Sequence, residues 1–131
     1  MTQKITLQMT PDHHFTLSDG RNIEALNPKE TLLYASLDCL ARTIMSLLKE
    51  RTHSLKALEL SLEGTLSTPT VVAESTYTRF HVTYRAECHT TAEESVISRA
   101  INLANEKHCG MLQMLRKIAP LTHEISIVAT N

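Results

Sequence analysis

Glycine is scarce in this chain of 131 residues, with only Gly20, Gly64 and Gly110 present. Three glycines so far apart cannot build a phosphate cradle, which excludes Walker and dinucleotide-binding readings, and a Gly-x-Ser-x-Gly nucleophile elbow with them. Tryptophan is absent, and the aromatics are two Phe and three Tyr, too few for a base-stacking platform. The charges nearly cancel, leaving a formal net charge of −1, so there is no electrostatic footprint for nucleic acid. No unbroken apolar run approaches the roughly 20 residues that span a bilayer, and the start, Met1 to Thr6, lacks the apolar stretch of a secretory signal. The expectation is a cytoplasmic protein with neither a nucleic-acid nor a membrane partner.

What is present is an ordinary globular balance, 42% hydrophobic and 21% charged, and length for one domain over 1–131. Such a chain buries roughly 68% of its unfolded surface. Residues 1–26 read as short strands with turns: Lys4 to Met9 alternates polar and apolar, while Pro11-Asp12 and Ser18-Asp19-Gly20 carry turn chemistry. Asn27-Pro28-Lys29-Glu30 supplies an N-cap, a first-turn proline and a capping-box carboxylate. A helix over 27–51 follows, with Leu32, Leu33, Tyr34, Leu37, Cys39, Leu40, Ile44 and Leu48 reaching nearly every side. A helix apolar all round is a buried one, and burying it fully in so small a chain calls for a second subunit. Residues 54–88 read as an antiparallel strand pair joined through Thr68-Pro69-Thr70. Thr91 and Glu94 form a second capping box, opening two helices over 91–119 that part at Cys109-Gly110. A last strand covers 122–129, with Ile125, Ile127 and Ala129 on one face. The predicted order is β-β-β-α-β-β-α-α-β, an α+β fold.

Three cysteines are present, and in a reducing compartment they serve as core, catalytic or metal-binding residues more often than as structural disulfides. Cys39, mid-helix, reads as a core residue or a reactive thiol. Cys109 starts a helix, where amide N–H groups favour a thiolate. Cys88, at a strand end, reads as structural, since free Cys behaves as a small hydrophobe. Cys88-His89 and His108-Cys109 together make a zinc-like ligand set, although adjacent strand residues point to opposite faces. There is no His-Glu-x-x-His, and Glu93-Glu94 fall in a helix first turn, where the dipole accounts for them.

Asn27-Pro28-Lys29-Glu30-Thr31-Leu32-Leu33 leading to Cys39, and Ala104-Asn105-Glu106-Lys107-His108-Cys109 leading to a short helix and a final strand, resemble the OsmC/Ohr family, the osmotically inducible and organic hydroperoxide resistance proteins. The resemblance covers about residues 26 to 129. It implies an intertwined homodimer, with long central helices sandwiched between antiparallel sheets. It also implies a thiol peroxidase acting on organic hydroperoxides, with Cys39 peroxidatic and Cys109 resolving. No cofactor is implied beyond an external dithiol reductant, commonly of lipoyl type. Cys88 matches nothing in the family pattern. In active members an N-terminal Arg, held by a Glu at the start of the long helix, activates the thiol. Here Glu30 stands one position later than the usual Glu, as in another OsmC-like branch. Arg21 is the nearest N-terminal candidate, and Arg42 is a geometric substitute three residues after Cys39. Asp38 adds a charge that opposes thiolate formation. The alternatives are a non-enzymatic dimer of the same fold that binds a small apolar or electrophilic ligand, and a Cys/His metal-binding protein.

Overall fold

The computed structural model describes residues 1–130, and residue 131 of the expected single domain lies outside them. The elements are β1 (Thr2–Met9), β2 (Phe15–Leu17), α1 (Pro28–Leu48), β3 (Leu55–Leu66), β4 (Tyr77–Cys88), α2 (Thr91–Leu103), α3 (Gly110–Ile118) and β5 (Leu121–Ala129). The five strands form one sheet in the order β2-β1-β3-β4-β5. The fold is α+β, as predicted.

All pairings are antiparallel except β4 with β5, which run parallel. A parallel return needs a crossover over the sheet face, and α2 and α3 provide it. Period-two alternation sorts the sheet into two faces. Ile5 and Leu7, Leu58, Leu60 and Leu62, and Phe80, Val82 and Tyr84 are buried under the helices. The opposite face is polar, with Thr6 hydrogen-bonded to Ser61 at 2.9 Å and Lys4 paired with Glu63 at 3.8 Å. α1 packs on β1 and β3, and α2 on β4 and β5.

Several boundaries differ from the expectation. No third N-terminal strand forms: the chain turns at Gly20 (φ 79°), and Ile23–Ala25 is a 3₁₀ turn. The local reason is Asp19, whose carboxylate accepts from the Arg21 amide at 2.9 Å and holds the segment in a turn. The long helix stops at Leu48 rather than Arg51, because Lys49 adopts φ 55°, and Lys49–Ser54 continues as 3₁₀. The second capping box is Thr90 with Glu93, one place before the predicted Thr91 and Glu94.

α1 buries Leu33, Leu37, Leu40, Ala41, Ile44 and Leu48 completely or nearly so. Its other flank, with Leu32, Tyr34, Cys39, Met45 and Leu47, is half-buried. The helix and its following turn, Pro28–Ser54, are long and apolar enough to cross a bilayer by length and composition, although polar residues interrupt the stretch; 39% of its most apolar part is buried inside the fold.

One close approach fixes α1 over the sheet. Tyr77 Oη, on β4, lies 2.7 Å from both Gln3 Oε1 on β1 and the Lys29 carbonyl in the first turn of α1, with its one proton available to either. The Tyr77 ring fills the space where Gly64 has no side chain: a Cβ there would lie 2.4 Å from Tyr77 Cε1 and 3.2 Å from Leu33 Cδ2. Gly64→Ala is therefore expected to destabilise the fold by about 2 kcal/mol through overpacking, read as a lower urea midpoint. Burial also pushes the phenols of Tyr77 and Tyr84 well above the ordinary value of 10.0. Above that value the unfolded phenols ionise while the folded ones stay protonated, so stability falls as pH rises past it. Thermal melts should lose several degrees on the alkaline side, and Tyr84→Phe should lessen the loss.

Candidate functional site

The start of α1 is tied by a reciprocal cap. Asn27 Oδ1 accepts from the Glu30 amide at 2.9 Å, and Glu30 Oε1 accepts from the Asn27 amide at 3.1 Å. That leaves Glu30 Oε2 free to accept from Arg21 Nη1 at 3.2 Å, while Arg21 Nε donates to Asp19 Oδ2 at 2.7 Å. The carboxylates of Asp19 and Glu30 hold Arg21 firmly in its charged form. The structure thus joins Arg21 to Glu30. It does not bring them to Cys39 of the same chain, which lies nine residues further along α1, a rise of about 14 Å.

Cys39 is half-buried on the outward flank of α1, and Cys109 is buried at the N-cap of α3. Their sulfurs are 3.6 Å apart, with Cys109 placed to donate to Cys39. The pair opens through Cys39 into a groove of about 610 Å³ lined by Ala35, Asp38, Arg42, Leu47, His108 and Met111 among others. Arg42 reaches this groove, but its Nε donates to Asp38 Oδ2 at 2.9 Å, and its side chain is 81% exposed. Arg42 and Asp38 therefore largely answer one another.

The placement of Cys109 depends on a π turn, Ala104–His108, that follows α2. The wider turn lets the Cys109 amide donate to the Ala104 carbonyl at 3.0 Å, and the backbone then bends into α3. Such insertions recur at functional sites. The turn is anchored by Asn105, only 1% exposed, whose Oδ1 accepts from Tyr84 Oη at 2.6 Å. The Asn105 carbonyl accepts from Arg116 Nη1 at 2.8 Å, tying α3 to the same turn. Tyr84, Asn105 and Arg116 were not legible as site residues. The available signal was the step of four from Ile97 to Ile101 to Asn105, which places an amide on an inward-facing helical position.

Burial pushes the Cys109 thiol up to about 11, outweighing the Leu112 and Met111 amides that favour its thiolate. Cys109 is thus a thiol at neutral pH, and its proton is available to the Cys39 sulfur. Cys88 lies apart: its thiol lies 3.3 Å from the Thr90 carbonyl and 3.6 Å from the Val128 carbonyl, either of which can accept its one proton, and burial raises its pKa. The zinc-like set is not assembled. Among the described residues no group of three or more His, Cys, Asp or Glu side chains is placed to hold a metal ion. Cys88 is committed to the Thr90 and Val128 backbone and Cys109 to Cys39.

Comparison with known proteins bears on the fold and the family. The family model for OsmC-like proteins matches residues 19–124. The chain is 29% identical over 119 residues to Protein YhfA of Escherichia coli, covering 88% of this chain and 84% of that protein. Among solved structures, an OsmC-like protein from Mycoplasma pneumoniae superposes with a TM-score of 0.59 at 14% identity, covering 98% of this chain and 96% of that one. A hypothetical protein from Aquifex aeolicus superposes with a TM-score of 0.58 at 20% identity, covering 97% and 96%. With the family model matched over residues 19–124 and the same α+β architecture, the chain belongs to the OsmC-like family.

Proposed function

We propose that this protein is a cytoplasmic, homodimeric thiol peroxidase that reduces organic hydroperoxides. The observation that carries the reading is the 3.6 Å approach of the Cys39 and Cys109 sulfurs, one opening into a groove and the other buried behind it. The Cys39 thiolate attacks the distal peroxide oxygen, the O–O bond breaks, and the alkoxide leaves as an alcohol after taking up a proton. Cys39 becomes a sulfenic acid. The Cys109 thiol then attacks that sulfur, water leaves, and a disulfide remains. Closing from 3.6 Å to the roughly 2.05 Å of a disulfide takes a small shift. An external dithiol, for which a lipoyl group is chemically suited, restores both thiols by exchange. Ala35, Leu47 and Met111 in the groove suit an alkyl or aryl hydroperoxide better than hydrogen peroxide.

The half-buried flank of α1 supports the dimer. Leu32, Tyr34, Met45 and Leu47 are only partly covered within one chain, and a second copy of α1 would cover them further. In such a dimer the Arg21–Glu30 pair acts on the Cys39 of the other chain, since the rise along α1 keeps it from its own. An arginine there supplies the charge that a thiol needs: at an ordinary pKa near 8.5, only about 3% is thiolate at neutral pH.

Two outcomes follow. Cys39→Ser should lower consumption of cumene hydroperoxide, in a coupled dithiol assay, by about two orders of magnitude or more; unchanged turnover would remove Cys39 as the nucleophile and the reading with it. Arg21→Ala and Cys39→Ser chains should each be nearly inactive alone. Unfolded and refolded together, they should regain about a quarter of wild-type activity, because one site of each mixed C₂ dimer keeps both residues. No recovery would place the action of Arg21 within its own chain.

A further inference from the structure

We propose that Cys109, in its thiol form, is a hydrogen-bond donor that stabilises the Cys39 thiolate before any peroxide arrives, alongside the Arg21 charge, in addition to resolving the sulfenic acid afterwards. The inference rests on the assignment of Cys39 as the nucleophile. It starts from the surroundings of the Cys39 sulfur. On its own helix Asp38 is adjacent and unfavourable, and Arg42 is bonded to Asp38. From the π turn, His108 lines the groove. From the side of α3, Cys109 makes the side-chain contact with the sulfur itself, at 3.6 Å. Tyr84, on β4, has already committed its proton to Asn105.

Burial decides which sulfur gives and which receives. Cys109 is fully buried and Cys39 is half-buried, so a negative charge costs more on Cys109. The α3 amides that would favour a Cys109 thiolate are outweighed by this desolvation. The proton therefore stays on Cys109 Sγ and points to Cys39 Sγ, and a donor to a charged acceptor favours the charged form. The π turn and its anchors, Asn105 to Tyr84 and to Arg116, keep the donor in place. When Cys39 is oxidised, the same proton leaves with the water released on disulfide formation.

The test is the rate at which Cys39 is alkylated by iodoacetamide in the reduced full chain, followed against pH by peptide-resolved mass spectrometry. Cys109→Ser keeps a donor, whereas Cys109→Ala and Cys109→Val remove it, one leaving a small void and the other filling it. At neutral pH the serine variant should react as fast as wild type, and both donor-free variants about tenfold more slowly. Equal rates in all variants would overturn the proposal. So would slowing in the serine variant as well, slowing in only one of the donor-free pair, or alkylation of Cys109 ahead of Cys39. Dimedone trapping of a Cys39 sulfenic acid in Cys109→Ser after cumene hydroperoxide tests the peroxidase reading separately. Loss of that adduct with the alkylation pattern intact would count against the peroxidase and leave the donor in place.

Discussion

The helix α1 carries apolar side chains around most of its circumference, broken by an exposed stripe at Thr31, Ala35, Arg42 and Ser46, and the molecule is arranged to cover the apolar part. The sheet takes one flank, where Leu33, Leu37, Leu40 and Ile44 disappear from solvent, each contributing roughly 1.5–3 kcal/mol. The crossover elements α2 and α3 take another, in returning the chain to a parallel β5. Cys39 lies at the seam where that second cover ends, which is why it is half-buried and faces a groove. The crossover also delivers Cys109 to the same seam. One requirement, burial of a long apolar helix, thus brings two distant cysteines into contact.

The seam separates two electrostatic environments a few ångströms apart. Cys39 borders a groove with polar and charged neighbours; Cys109 sits behind it, where desolvation holds its proton. Two thiols in like surroundings would compete for one charge, whereas unequal burial assigns the charge to one and the proton to the other. The arrangement is fixed from outside the pair, by the π turn that Tyr84 and Arg116 grip through Asn105. Cys88, with the same chemistry but a backbone-bonded, buried thiol, takes no part.

Much of this was readable from local pattern. The alternation of Leu58, Leu60 and Leu62, the cap at Asn27 and Glu30, and the stop at Pro120 each follow from neighbours in sequence, and each is found in the structure. The parallel sense of β5 depends on where the crossover lands, a three-dimensional matter. The left-handed turn at Lys49 was not legible, since a lysine carries no signal for a positive φ. At the site, the family motifs named Cys39 and Cys109, but their contact arises only from the tertiary path of the chain. Arg21 matched no motif, because the N-terminal segment that would carry the family arginine is not reproduced here, yet the cap leaves one carboxylate oxygen of Glu30 free to receive it. Asn105 was hidden in plain sight, a polar residue on an apolar stripe.

The central claim is that Cys39 and Cys109 act as one redox pair. Its most direct measurement is disulfide mapping of the fully reduced chain after one equivalent of cumene hydroperoxide, by digestion under acid and mass spectrometry of the linked peptides. The account predicts an intramolecular Cys39–Cys109 bond in most chains, with Cys88 still a free thiol. Three free thiols, or a bond that includes Cys88 in place of either partner, would contradict it.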